Sequence, residues 1–141
     1  MFVLTDFEDD LICHLRQNLP SDWVPILEDQ LKRFNKIDRV LKPGSELPFG
    51  HTSFYWVKFG KAKLDFPVVF PSNKEEYLLA TLEIIEEENV INVSFRLVKG
   101  FLFSIEYRSK KKVFNPQGEY RLCNFKLVLP ELTAIHRNSD T

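Results

Sequence analysis

The chain has 141 residues, 44% apolar and 28% charged, with a formal net charge of −1. That length suits one domain around one core, and the balance is that of a globular protein rather than a disordered or fibrous one. Near-neutral charge argues against a dedicated nucleic-acid binder, whose phosphate affinity needs a clustered positive field. No stretch approaches the roughly 20 apolar residues of a membrane span.

The N-terminal MFVLTDFEDD has no basic n-region and meets acid at its sixth residue, unlike a secretory signal. Cys13 and Cys123 have neither metal-ligand spacing nor a disulfide framework. A cytoplasmic chain without a cofactor is expected, with no membrane and no nucleic acid as partner.

Thr5 and Glu8 have the spacing of a capping box. Leu4, Phe7, Leu11 and Leu15 follow at helical intervals, and Asn18 and Pro20 end this first helix. Ser21 or Asp22 is placed to cap a second helix, with Pro25 tolerated in its first turn. Trp23, Leu27, Leu31 and Phe34 form its buried face. Its basic tail of Lys32, Arg33, Lys36, Arg39 and Lys42 suits the negative end of the helix dipole. Residues 43–48 read as a loop.

From Phe54 the apolar period changes from about 3.6 to 2, which predicts strands. A turn at Gly60-Lys61 sets Phe59 opposite Ala62, Val57 opposite Leu64 and Tyr55 opposite Phe66. A turn at Glu88-Asn89 sets Ile84 opposite Val93, Leu82 opposite Phe95 and Ala80 opposite Leu97. A three-residue loop at Val98-Lys99-Gly100 sets Phe95 opposite Phe103 and Val93 opposite Ile105. The expected strands are 53–59, 62–70, 78–86, 90–97, 101–108 and 120–129, the last placing Cys123, Phe125, Leu127 and Leu129 on one side. Residues 78–88 also carry a helical pattern, but Thr81, Ile84 and Ile85 and the register favour a strand. The expected fold is α+β: two N-terminal helices (within 1–42) packed on an antiparallel meander of about six strands (53–130), with a frayed tail at 131–141.

Candidate chemistry is sparse. Cys13 and His14 point roughly 100° apart on a helix, and the carboxylates near Cys13 disfavour a thiolate. His51, in the loop Phe49-Gly50-His51-Thr52, is the best general-base candidate. The three histidines are too scattered for a metal site, and no glycine cluster cradles phosphate. Phe54, Trp56, Lys58 and Lys63 alternate like a base-stacking platform, but partial cover by neighbouring chain accounts for them better. Asp6, Asp9 and Asp10 suit a helix N-terminus. Glu86, Glu87 and Glu88 crowd like charges at a hairpin tip where Asn-Gly or Asp-Gly would be favoured, a local rule broken without structural gain.

Leu19-Pro20-Ser21-Asp22-Trp23, leading into the second helix, resembles the corresponding stretch of SUKH-superfamily domains. Gly100-Phe101-Leu102-Phe103-Ser104-Ile105-Glu106-Tyr107 is similar to the late strand of bacterial immunity proteins of that and related kinds. The resemblance implies a cytoplasmic inhibitor that binds and neutralises a toxin domain, often a nuclease delivered by a neighbouring bacterium. The expectation is therefore a non-enzymatic protein-binding domain whose partner meets Glu86, Glu87, Glu88, Asp6, Asp9 and Asp10. The alternatives are an enzyme or ligand-binding domain with a site around His51, or a regulatory subunit.

Overall fold

Thr5 opens helix α1 (Asp6–Asn18) with the predicted capping box: its hydroxyl accepts from the Glu8 N–H at 3.1 Å, and the Glu8 carboxylate accepts from the Thr5 N–H at 2.9 Å. This is a computed structural model, and it describes residues 3–41, 49–72, 74–109 and 119–129. The loop at 43–48, the basic run 110–112 and the tail 131–141 lie outside the described residues. A 3₁₀ turn at Ser21–Trp23 leads into α2 (Val24–Arg33), with Pro25 in the first turn where its missing N–H costs nothing. Neither Ser21 nor Asp22 caps α2 through its side chain; the 3₁₀ turn makes the entrance instead.

Of the basic tail expected to prolong α2, Lys32 and Arg33 end the helix, Lys36 and Arg39 lie in a strand, and Lys42 falls outside the described residues. The helix stops at Arg33, and β1 runs from Lys36 to Leu41. Asn35 accounts for the break, because its amide pairs with chain far away: Nδ2 donates to the Val57 carbonyl at 2.8 Å, and Oδ1 accepts the Val57 N–H at 2.7 Å. Ile37 and Val40 then suit extended chain. The remaining strands are β2 (Phe49–Tyr55), β3 (Val57–Lys58), β4 (Lys61–Ala62), β5 (Glu76–Glu86), β6 (Asn89–Val98), β7 (Phe101–Ser109) and β8 (Arg121–Leu127). Two helices on a six-stranded antiparallel sheet make the α+β fold, and 78–86 is strand. The order β1-β2-β7-β6-β5-β8 embeds a β5-β6-β7 meander between a hairpin and a returning edge strand.

The registers differ from expectation in an instructive way. The β5–β6 turn is Glu87-Glu88, so Ile84 faces Ile91 and Leu82 faces Val93. The β6–β7 turn is the two residues Lys99-Gly100, and the extra residue falls at Phe103, a bulge between the Leu97–Leu102 and Arg96–Ser104 pairs. Both pairings slide by two residues relative to the predicted ones over most of their length. A shift of two leaves every side chain on its predicted face, which is why alternation could not detect it.

Residues 62–70 are not a strand beyond Ala62, and Pro67 removes a ladder donor from the middle of this segment. The small ladder pairs Val57 with Ala62 and Lys58 with Lys61, so its turn is Phe59-Gly60. Asn124, at φ 55°, forms another bulge in β8, with Leu122 opposite Ile84 but Leu127 opposite Ala80. Core-facing residues therefore switch from Leu122 to Phe125 and Leu127, and Cys123 leaves the side predicted for it.

The core lies between the helices and one sheet face. Leu11, Ile12, Leu15 and Leu27 meet Leu82, Ile84, Val93, Phe95 and Ile105 in one buried cluster. Gln30, fully buried among them, has every polar atom satisfied. Its Nε2 donates to the Val68 carbonyl at 3.0 Å and the Gly100 carbonyl at 3.1 Å, and its Oε1 accepts the Leu102 N–H at 2.9 Å. At Gly100 (φ 83°) a Cβ would stand 2.7 Å from that of Val69, so only glycine fits beneath this crossing. Gln30→Leu strips three bonds from backbone groups, two of them buried. We expect a loss of about 2–3 kcal/mol, read as a lower urea midpoint with an unchanged denaturant slope.

Candidate functional site

The first turn of α1 carries Asp6, Glu8 and Asp9, with Asp10 just beyond, and the structure divides them. Glu8 turns inward and is 2% exposed. Arg39 of β1 reaches it with Nε at 2.6 Å and Nη2 at 2.9 Å. The Thr52 hydroxyl donates to it at 3.3 Å, and the buried Tyr107 hydroxyl lies 2.7 Å from that of Thr52. Because the carboxylate can only accept, Thr52 gives its proton to Glu8 and Tyr107 donates to Thr52. Burial pushes the Glu8 carboxyl up, but the bonds from Arg39, the Thr5 N–H and Thr52 outweigh it and hold the group below its ordinary value. The Tyr107 phenol is pushed up, chiefly by burial.

With Glu8 committed to the interior, the helical repeat leaves Asp6, Asp9 and Asp10 exposed. The Tyr120 hydroxyl donates to Asp10 Oδ2 at 2.6 Å. Burial and the carboxylates of Asp10 and Asp6 all raise the Tyr120 phenol, so both acids flank it. Arg121 pairs with Ile85, which sets Tyr120 level with Glu86 at the end of the sheet. The acidic edge of α1 and the β5–β6 tip, about 80 positions apart in the chain, thus share one end of the molecule. Nothing in the local pattern around Tyr120 signals this.

At the tip, Glu86 pairs with Asn89, and Glu87 and Glu88 make the turn, both exposed. Glu87 has φ 54°, a left-handed conformation in which glycine and asparagine are at ease and glutamate is not. The base is firm: Asn89 is buried, and its Oδ1 accepts from the Ser109 hydroxyl at 2.7 Å.

His51 lies on the sheet face away from the helices, in register with Val40 and Glu106. Gly50, Glu106, Tyr107 and Arg108 complete a shallow cavity of about 180 Å³ around it. Glu106 is directed to Arg96, 3.6 Å away. Cys13 is on α1, 3.5 Å from Arg16 Nη1. Cys123 is on β8, with β7, β6 and β5 between it and the strand of His51. The fold therefore brings neither thiol to the histidine. Among the described residues no cluster of His, Cys, Asp and Glu could hold a metal ion, and no helix is long and apolar enough to cross a membrane.

No family model, no curated protein and no solved structure matches the chain.

The Glu8 network makes a prediction in acid. A carboxyl held below its ordinary value in the folded state contributes stability that is complete above the ordinary carboxylate range and is lost as pH falls through the folded value. Glu8→Gln should lower stability at neutral pH by about 1–2 kcal/mol, a figure kept small because Arg39 is partly solvated. It should also flatten the acid-side decline, measured as urea midpoints across pH.

Proposed function

We propose that the chain is a non-enzymatic protein-binding domain that neutralises a toxin domain by presenting its acidic end to a basic groove. The observation that carries this reading is the β5–β6 tip, where glutamates occupy a firm, exposed turn and one takes a backbone conformation that glutamate disfavours. A projecting hairpin enters a cleft as a flat sheet face cannot. A nuclease groove must be positive to hold phosphates, and carboxylates at Glu86, Glu87 and Glu88, with Asp6, Asp9 and Asp10 on the same end, stand in for them. Such complementarity speeds encounter and fixes orientation. The resemblance of residues 19–23 and 100–107 to immunity proteins points the same way.

Co-purification from the native host, followed by identification of a bound protein whose toxicity the chain relieves on co-expression, tests the reading. With that partner in hand, reversing charge at Glu86, Glu87 and Glu88 together should slow association at least about tenfold at low salt. Circular dichroism should be unchanged, and the difference should shrink as salt screens it. Association of the triple variant at the wild-type rate would reduce the glutamates to a solvated turn.

A second reading, a ligand or catalytic site, is favoured only by the cavity at His51 with Glu106 and Arg108 on its wall. The two separate cleanly. Under the binding reading, His51→Ala and Cys13→Ser leave neutralisation of the partner intact. A large loss in a correctly folded His51→Ala protein would instead support the second.

A further inference from the structure

Phe59 breaks two rules at one position. It is fully exposed, and its φ of 53° lies where a bulky aromatic residue is an outlier. With Gly60 at φ 76° it gives a turn with both central residues left-handed, the type I′ pattern, whose first position ordinarily takes Asn or Asp. A Cβ added to Gly60 would meet no atom within 4 Å, so the tip stands clear of the body. The base does not move freely. Asn35 brackets Val57 with both amide atoms, the Lys63 N–H donates to the Trp56 carbonyl at 2.7 Å, and the Trp56 ring packs edge-on against Phe66.

Cations gather around Trp56 at the base of this tip. Arg33, Lys58 and Lys63 lie 5.1, 5.3 and 5.8 Å from the centre of the Trp56 ring, and Lys61 pairs with Lys58 across the ladder. Asp29 offsets Arg33, and Asp65 pairs with Lys63 and also feels the charge of Lys58, so one carboxylate faces the three lysines of the hairpin and a net positive charge remains. We infer that this hairpin docks on an anionic membrane surface. Phe59 enters the boundary between headgroups and acyl chains while the exposed Lys58 and Lys61 meet lipid phosphates.

The geometry favours a lipid surface over other polyanions. A stable protein interface takes about 800 Å² from each partner, far more than a two-residue ladder presents, and a fluid interface needs no preformed socket. Base stacking wants a flat platform, and the ring best placed to supply one, Trp56, is packed against Phe66 and covered by cations. The absence of a spanning apolar run, which set the expectation of no membrane partner, does not bear on docking at a surface.

The orientation follows from topology. Gly50, at the start of β2, pairs with Tyr107 towards the acidic end, and the chain leaves β2 after Tyr55 at the other end. The Phe59 hairpin and the Glu86–Glu88 tip are therefore reached from opposite ends of the sheet. A docked chain turns its acidic end away from the anionic surface, an arrangement that charge repulsion reinforces.

The test uses the full chain with vesicles rich in phosphatidylglycerol, against vesicles of phosphatidylcholine alone, measured by flotation at low and high salt. Each lysine near such a surface contributes about fivefold in affinity, and partial burial of one phenyl ring about tenfold. Wild type should float with the anionic vesicles only, and less at high salt. Phe59→Asn, whose new side chain suits positive φ, should melt no lower than wild type yet bind about tenfold more weakly. Lys58→Glu with Lys61→Glu should weaken binding at least about 25-fold. Failure to float, equal flotation with neutral vesicles, or binding that survives Phe59→Asn would overturn the inference. So would Phe59-dependent binding of a single-stranded oligonucleotide by a chain that ignores vesicles, which would make the tip a nucleic-acid surface.

Discussion

The ion pair between Glu8 and Arg39 ties the first helix to the edge of the sheet, and the character of the acidic end depends on it. Glu8 closes the capping box and accepts both the guanidinium of β1 and the hydroxyl of Thr52. Few carboxylates survive near-complete burial, and this one does because each neighbour donates to it. Once Glu8 faces inward, the rotation of α1 is settled, and Asp6, Asp9 and Asp10 must face water. An acidic stretch that would otherwise be a uniformly solvated helix start becomes one structural carboxylate and three surface ones.

Gln30 performs the corresponding task for the second helix. Its amide joins α2 to the crossing segment at Val68 and to the β6–β7 turn at Gly100, three pieces of chain that no ladder connects. Together the two side chains hold the helices on one face of the sheet. The two projecting hairpins are left at its opposite ends, one acidic and one basic with an exposed ring. A net charge of −1 conceals this separation, because the total says nothing about where the charges stand.

Much of the fold was legible because it follows from local rules. The capping box, the Leu11–Leu15 stripe, Pro25 in a first turn and the inward faces of β5 and β6 all come from spacing and side-chain period. Period reports parity and nothing more. It could not separate a turn at Glu87-Glu88 from one at Glu88-Asn89 two register positions away, nor say whether the extra residue of the β6–β7 hairpin sits in its turn or at Phe103. The same blindness let Cys123 pass for a core-side residue until the Asn124 bulge reversed the alternation.

The sequence by itself determined the class of the fold, the acidic segments at 6–10 and 86–88, and the apolar faces, since each depends on residues close together in the chain. Only the tertiary structure decided which acid would be buried, that Lys36–Leu41 would be a strand rather than a helix tail, and that Tyr120 would bring the two acidic segments to one end. It also decided that Phe59 would stand in solvent rather than in the core. The first three depend on a partner more than 20 residues away: Arg39 for Glu8, Val57 for Asn35, Asp10 for Tyr120. No pattern within a helix turn or a strand repeat encodes such a meeting, because its energy exists only once the chain has brought the two groups together.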